Sequence, residues 1–529
     1  MPRARIDRQY ESRLAGLINS GERAVLLGGL KGVEKESLRV TPEGRISQRA
    51  HPRALGSALT NDHITTDYSE ALIELVTPTF TTSWELLQYL TDLHQFVYRH
   101  MDDDELLWAT SMPCALKGDA SIPIAQYGRS NVGKMKTVYR IGLGLRYGRI
   151  MQAISGVHFN YSFPAHFWPV LADVLKSHDA GQDFVSEQYF ALLRNYRRHG
   201  WLIHYLFGVS PAVCPSFVAG RDDHGLVELA KGTLYSPYAT SLRMSDLGYR
   251  NKNQAELSIS VNSLDDYVRD LSRAISTPSP EYAKLGIEVD GEWRQLNASC
   301  LQIENEYYAF IRPKRVARSG ERPTKALKRG GVEYIEMRSL DVSALDPVGV
   351  NQNKLRFLEA FAAFCVLAPS ERIDQSQQDE LDRNHVTVAR RGREPGLKLR
   401  YDGRDADLRT WAAEILDAMQ GTCELLDHGD PAKPYATALA VQAQKLVDVE
   451  ATPSARLLKD MRETGESFFE LALRMSRTYK QYFTELHAPD ERKLAAFAQE
   501  AEESLEAHER LERQPQEPFR DYLAKYFAP

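Results

Sequence analysis

Two glutamates two residues apart, in the run Gly32-Val33-Glu34-Lys35-Glu36-Ser37-Leu38-Arg39-Val40, are the residues of this chain that most invite chemistry. Alternation along a strand puts Glu34, Glu36, Leu38 and Val40 on one face. Two carboxylates on a face bounded by apolar residues repel each other and are costly to desolvate. A divalent cation between them removes that cost. Taken alone, the run also fits a solvated strand edge with two chance acids. Four further segments tip the balance toward the cation.

The run Ile64–Pro78 is β-branched at its flanks and closed by Pro78, which favours a hairpin turning near Ser69–Ala71 over a helix. Asp67 and Glu74 then come from neighbouring strands and can point the same way. Residues 152–163 form the clearest strand pattern. One face carries Gln152, Ile154, Gly156, His158, Asn160 and Ser162, and the other Val157, Phe159, Tyr161 and Phe163. In Val332–Asp341, Glu336 and Arg338 share a face. They read either as an ion pair or as a metal ligand beside a phosphate-binding guanidinium. Finally, Leu301–Tyr308 reads as a strand aligning Gln302, Glu304, Glu306 and Tyr308. It leads into a basic loop, Arg312 to Arg329, that holds a single acid, Glu321. That loop is a solvated surface, a phosphate-facing lid or an RNA-binding loop. No aromatic residue is interleaved among its cations, so base stacking has no platform.

Carboxylates from several strands, with one histidine and one arginine, suit Mg²⁺ bound to nucleotide phosphates, and Mn²⁺ would fit the same donors. No cluster of thiolates points to zinc or iron. The run Gly128-Arg129-Ser130-Asn131-Val132-Gly133-Lys134-Met135 approaches a P-loop but has Met135 where a Mg²⁺-binding hydroxyl belongs, and no buried strand precedes it. Gly142–Gly148 misplaces the third glycine of a dinucleotide fingerprint.

These segments need a large frame, and 529 residues with 43% hydrophobic content supply one. The net charge of −6 argues against a bulk nucleic-acid binder. The N-terminus has charge but no apolar stretch, so no signal peptide is expected. The most apolar run, Phe357–Ala368, contains Glu359 and is too short to span a bilayer, so it reads as a buried helix. Five scattered cysteines, Cys114, Cys214, Cys300, Cys365 and Cys423, lack metal spacing and fit mostly buried free thiols in a reducing cytoplasm. Three zones follow. Residues 7–30 read as a helix. Residues 32–345 mix short strands, amphipathic helices and Gly/Pro turns. Residues from about 346 onward read as helical, including Gln352–Leu367, Asp407–Leu426 and Asp490–Glu512. The expected division is 1–345, an α+β catalytic region with an N-terminal helix, and 346–529, a helical region packed on it.

In order, Gly32–Val40, His51–Thr60, Ile64–Pro78, Ser111–Cys114, Ala125–Gly128, Met151–Ser162, Pro237–Tyr249, Gln302–Arg318 and Gly330–Asp341 resemble the single-function bacterial glutamate–cysteine ligases. The resemblance covers roughly residues 32–370. It implies a glutamine-synthetase-like α+β fold, a curved and mostly antiparallel sheet forming a funnel with a polar inner face. It further implies that Glu36, Asp67 and Glu74 surround one Mg²⁺, and that Glu34, His158 and Glu336 surround a second, nucleotide-linked Mg²⁺. Arg338 would contact the transferred phosphoryl group. The cysteine amine must lose a proton, for which Asp67 or a neighbouring carboxylate is the expected acceptor. Arg243, Gln152 and Asn160 would hold glutamate, while Tyr68, Tyr139, Tyr249 and Tyr308 would shape a cysteine pocket. Tyr68 stands where the family often has Phe. The implied reaction consumes ATP, L-glutamate and L-cysteine. Expected partners are these small molecules, with no nucleic acid, no membrane and a monomeric chain. A related ligase using another amine, and a non-catalytic RNA-binding protein of the same fold, are the alternatives.

Overall fold

Leu30–Val40 (β1) is a strand because it alternates between two environments that each need its residues. Val33 is fully buried on one side, while Glu34 and Glu36 face the other. The computed structural model describes residues 3–248, 257–318, 320–486 and 490–528. Within them β1 is the centre of an antiparallel sheet with Ile64–Thr66 (β2), Leu72–Val76 (β3), Leu106–Leu107 (β4), Gly156–Ser162 (β5), Ile311–Lys314 (β6) and Tyr334–Asp341 (β7). The order is β6-β7-β5-β1-β3-β2, and β4 pairs with the end of β1.

Register does the positioning. Residues directly opposite each other in an antiparallel pair share a face. Glu36 lies opposite Glu74, and Glu34 opposite His158. Glu336 lies opposite Asn160 on one side and Arg312 on the other. The sequence-predicted polar positions of four strands therefore form one continuous face. The register of β5 against β7 shifts between Met337 and Leu340, an irregularity that falls next to Arg338.

The other face is apolar. Val33, Ile73, Leu75, Val157, Phe159, Tyr161, Ile335 and Met337 join one large core. Each such side chain gains roughly 1.5–3 kcal/mol from burial. Against this face lie Ser83–His100 (α2), Gln182–His199 (α4) and Gln352–Leu367 (α6), with α6 packed on both α2 and α4. The core runs from Tyr10 to Phe497 and takes in residues on both sides of position 345. No helix among the described residues is long and apolar enough to cross a membrane.

Five expectations need correction. Leu301–Tyr308 is not a strand, because Glu304–Glu306 form a 3-10 turn. There Glu304 accepts from Arg322 and Thr324, and Glu306 accepts from Arg146. Both acids are fixed by distant partners that alternation cannot reveal. Gln152 precedes β5 in a 3-10 turn, Met151–Ala153, rather than lying on the strand. The basic segment after Lys314 is only partly loop, since Pro323–Gly330 (α5) is helical. The N-terminal helix (α1) runs Arg3–Asn19 and gives way to turns before β1. Cys114 and Cys214 are joined by a disulfide, leaving Cys300, Cys365 and Cys423 as free thiols.

Candidate active site

The polar face of the sheet is the floor of a cavity of about 410 Å³. Glu34 and Glu36 from β1, Glu74 from β3, His158 from β5 and Glu336 and Arg338 from β7 all line it. Asp67 and Tyr68 enter from the hairpin turn, and Gln152, Arg243 and Tyr308 from loops and short turns. The facing wall is Asn131–Tyr147 (α3), which contributes Lys136, Tyr139, Arg140, Leu143 and Tyr147. Asn160 is engaged with Glu34, its amide donating to Oε1 at 2.9 Å. Tyr249 lies outside the described residues.

The acids and cations interlock. His158 Nδ1 is 3.1 Å from Glu34 Oε2 and 3.6 Å from Glu336 Oε1, while its Nε2 is 3.7 Å from Glu36 Oε1. Arg338 donates to Glu336 Oε1 at 2.7 Å, and Lys314 approaches Oε2 at 3.4 Å. Glu36 accepts the backbone N–H of Gly156 at 2.6 Å. Beside it, Arg243 donates to the carbonyl of Arg338 at 3.2 Å. A methyl group on Gly156 would overlap the Arg243 guanidinium, so only glycine lets the two approach.

Protonation divides along the floor. Burial, reinforced by the negative charge of Asp67, pushes the Glu36 carboxyl up to about 8. Burial and the charges of Glu34, Asp67 and Glu36 push Glu74 well up too. Burial also works to raise Glu336, but Arg338 and Lys314 outweigh it and hold Glu336 well below the usual carboxylate range. Glu34 is lowered likewise, because His158 and Lys314 overcome burial and the repulsion of Glu336. His158 is lowered by burial and by Arg338, which favours a neutral ring.

Acids such as Glu36 and Glu74, raised by burial and by neighbouring negative charges, fit a cation site. Among the described residues, two groupings have ligand atoms within 4.8 Å of one another: Glu34, His158 and Glu336, and Glu36, Glu74 and His158. The first contains the three residues expected together. The second has His158 where Asp67 was expected, although Asp67 lines the same cavity. Among the described residues, Glu336 Oε2, which Lys314 approaches without hydrogen-bonding, and Asn160 Oδ1 are buried without a hydrogen-bond partner. Carboxylate oxygens with one imidazole suit a hard divalent cation. A neutral imidazole offers one lone pair, so His158 serves one grouping at a time.

Of the facing wall, the sequence reading reaches only Tyr139. Lys136, Arg140, Leu143 and Tyr147 lie with it at the three- and four-residue spacing of one helical face, and that was the available signal. It also took Arg312 and Lys314 for loop residues, whereas β6 carries both into the cavity.

An open antiparallel sheet with helices against one face and a polar cavity on the other places the protein in the glutamine-synthetase-like α+β class. A profile described as Glutamate-cysteine ligase matches residues 14–388. A glutamate–cysteine ligase of Alcanivorax borkumensis is 46% identical over 527 residues, covering 98% of this chain and 99% of that one. One of Pseudomonas putida is 48% identical over 499 residues, covering 94% of each. The crystal structure of the Francisella tularensis glutamate–cysteine ligase in complex with AMP superposes with a TM-score of 0.89 at 36% identity, over 95% of this chain and 98% of that one. A bifunctional glutathione synthetase of Pasteurella multocida shares the fold, with a TM-score of 0.71 at 24% identity over 89% of this chain and 55% of that one. The chain belongs to the glutamate–cysteine ligase family.

Proposed function

We propose that this cavity joins the γ-carboxylate of L-glutamate to the amine of L-cysteine at the expense of ATP, the first step of glutathione biosynthesis. The observation that carries this reading is the strand register, which gathers Glu34, Glu36, Glu74, His158 and Glu336 on one face beside Arg338. Glu34, His158 and Glu336 would hold one Mg²⁺, and Glu36 and Glu74, with Asp67 nearby, a second. Bound there, the cation supplies positive charge where two anions must meet.

The remaining steps fall to the chain. The glutamate γ-carboxylate attacks the γ-phosphorus of ATP, the bond to the β-phosphate oxygen breaks, and ADP leaves. Arg338, Lys314 and Arg312 line the route of that phosphoryl group and stabilise its spreading charge. A second cavity of about 340 Å³ shares Asn305, Arg312 and Lys314 with the first and is walled by Tyr267, Leu271, Leu327 and Tyr334. It offers the adenosine moiety an apolar seat with the phosphates pointing at the metal face. Arg243 is placed to pair with a glutamate carboxylate, and Gln152 is close by in the lining. The γ-glutamyl phosphate is then attacked by the cysteine amine, and phosphate leaves. The amine proton goes to Asp67, which lines the same cavity beside its sequence neighbour Tyr68. Tyr68, Tyr139 and Tyr308 bound the acceptor pocket and exclude water from the acyl phosphate.

Phosphate release from ATP, measured with glutamate and a panel of amines, tests the reading. Cysteine should be the best acceptor. 2-Aminobutyrate should be ligated about 10–100-fold less efficiently, since an apolar pocket separates near-isosteres by only about 1–3 kcal/mol. Serine should be poorer still, because its hydroxyl is desolvated without a partner. Should ammonia or a diamine outcompete cysteine, the chain uses a different amine and the acceptor assignment is wrong.

A further inference from the structure

The wall helix α3 does not hold itself in place. Its N-terminal turn is completed by residues far along the chain, on Glu491–Arg513 (α7) and the segment leading to Phe519–Phe527 (α8). Glu512 Oε1 accepts the backbone N–H of both Arg129 and Ser130 at 2.7 Å, the latter from 382 positions away. Gln516 Oε1 accepts the N–H of Asn131 at 2.9 Å, and the Asn131 amide donates to the carbonyl of Glu517 at 3.0 Å. Ser130 itself caps Gly133. Three successive N–H groups at the start of the helix, those of Arg129, Ser130 and Asn131, are thus met by one distant segment.

The same segment wedges the side of the helix. Phe519 and Leu523 pack with Met135 and Val138 of α3 and with Leu296 and Ile303. Tyr139 packs against this cluster, and both Tyr139 and Ile303 line the cavity. Lys134 lies over the Phe519 ring at 4.7 Å. At the other end of α3, Arg146 and Tyr147 are held by Glu306. The helix is therefore pinned at both ends, and one pin lies outside the 14–388 span matched by the family profile.

We propose that Glu512 is a positioning residue for the acceptor side of the site. By holding the N-cap residue Ser130 and the residue before it, it fixes how far Tyr139 and Arg140 reach into the cavity, and so the fit of the cysteine amine. The proposal rests on the reading of the α3 wall as the acceptor pocket. It predicts a specific kinetic split, because the metal and phosphate groups stand on the sheet and not on α3.

Steady-state kinetics on the full chain test it. Glu512→Ala should raise the KM for cysteine about tenfold while the KM values for ATP and glutamate stay within about twofold. Glu512→Gln should restore the cysteine KM, since its amide oxygen can still accept both N–H groups. If Glu512→Ala does not fold, Phe519→Ala loosens the same wedge without touching those hydrogen bonds and carries the same expectation. Tyr139→Ala is measured alongside. If it raises the cysteine KM while neither strap variant does, the positioning role is overturned and the reading of the wall stands. If none of the three moves it, both fall. A parallel loss across all three substrates, or a lowered melting temperature with unchanged KM values, shows a merely structural cap and also overturns the proposal.

Discussion

Arg338 donates to Glu336 and has its Nε buried without a hydrogen-bond partner among the described residues, while its guanidinium lines the cavity. A planar fork held this way is suited to a charge that appears only during phosphoryl transfer. Arg338→Lys keeps the charge and loses the fork, so kcat should fall about 10²-fold with little change in the KM for ATP. A change confined to KM would assign Arg338 to ground-state binding. Gly156 makes the complementary point with no side chain at all. Gly156→Ala would displace the Arg243 guanidinium and lower kcat/KM for glutamate by about 10²-fold. An unchanged glutamate profile would remove Arg243 from the substrate pocket.

At the scale of elements, β1 and β3 carry a pH dependence. In the metal-free protein Glu36 is raised from the ordinary 4.5 to about 8, and Glu74 moves the same way. The folded state then keeps protons that the unfolded chain has released. Stability from these two groups is full below the unfolded value and is lost as pH rises toward about 8. Glu34 and Glu336, held low, have the opposite sign and lose their contribution on acidification. A divalent cation requires the ionised carboxylates, so it should offset the alkaline loss. Melting temperatures with chelator and with excess Mg²⁺ should diverge between about pH 6 and about pH 8. A Mg²⁺ shift that does not grow with pH would remove Glu36 and Glu74 from the cation site.

Elements were unevenly legible in the sequence, for physical reasons. β1, β5, β7 and the hairpin at Ile64–Pro78 announce themselves because one face is apolar and the other polar. The helices Gln352–Leu367 and Asp490–Glu512 do so by period. The 3-10 turn at Glu304–Glu306 alternates like a strand, but Arg322 and Arg146 dictate its form from other segments. The pairing of Cys114 with Cys214 spans 100 residues and has no local signal. Register was equally invisible, although it alone decides that Glu34 meets His158 and Glu36 meets Glu74.

On the scale of the whole molecule, the sheet is tied to the later helical chain by a charge. Lys31 of β1 pairs with Glu359 of α6 at 2.8 Å, with both side chains almost wholly buried. Lys31 also donates to the carbonyl of Thr81, and Tyr435 donates to Glu359. Removing one partner strands the other charge in a dry interior. Glu359→Ala should therefore destabilise the fold by about 3–5 kcal/mol. Chemical denaturation of the two proteins measures this, and a loss under about 1 kcal/mol would mean the pair is solvated.

The alternation in β1 has a consequence for how the chain reaches this fold. Lys31, Val33 and Lys35 are buried on one side of the strand, and Glu34 and Glu36 face the other. A slip of one residue would drive both glutamates into the apolar layer and bring Lys35 up beside Lys314 and Arg338. Such a decoy would strand like charges together and acids in hydrocarbon at once. The groups proposed to perform the chemistry would thus also proofread the sheet while it assembles, making the nearest wrong pairing one of the least accessible.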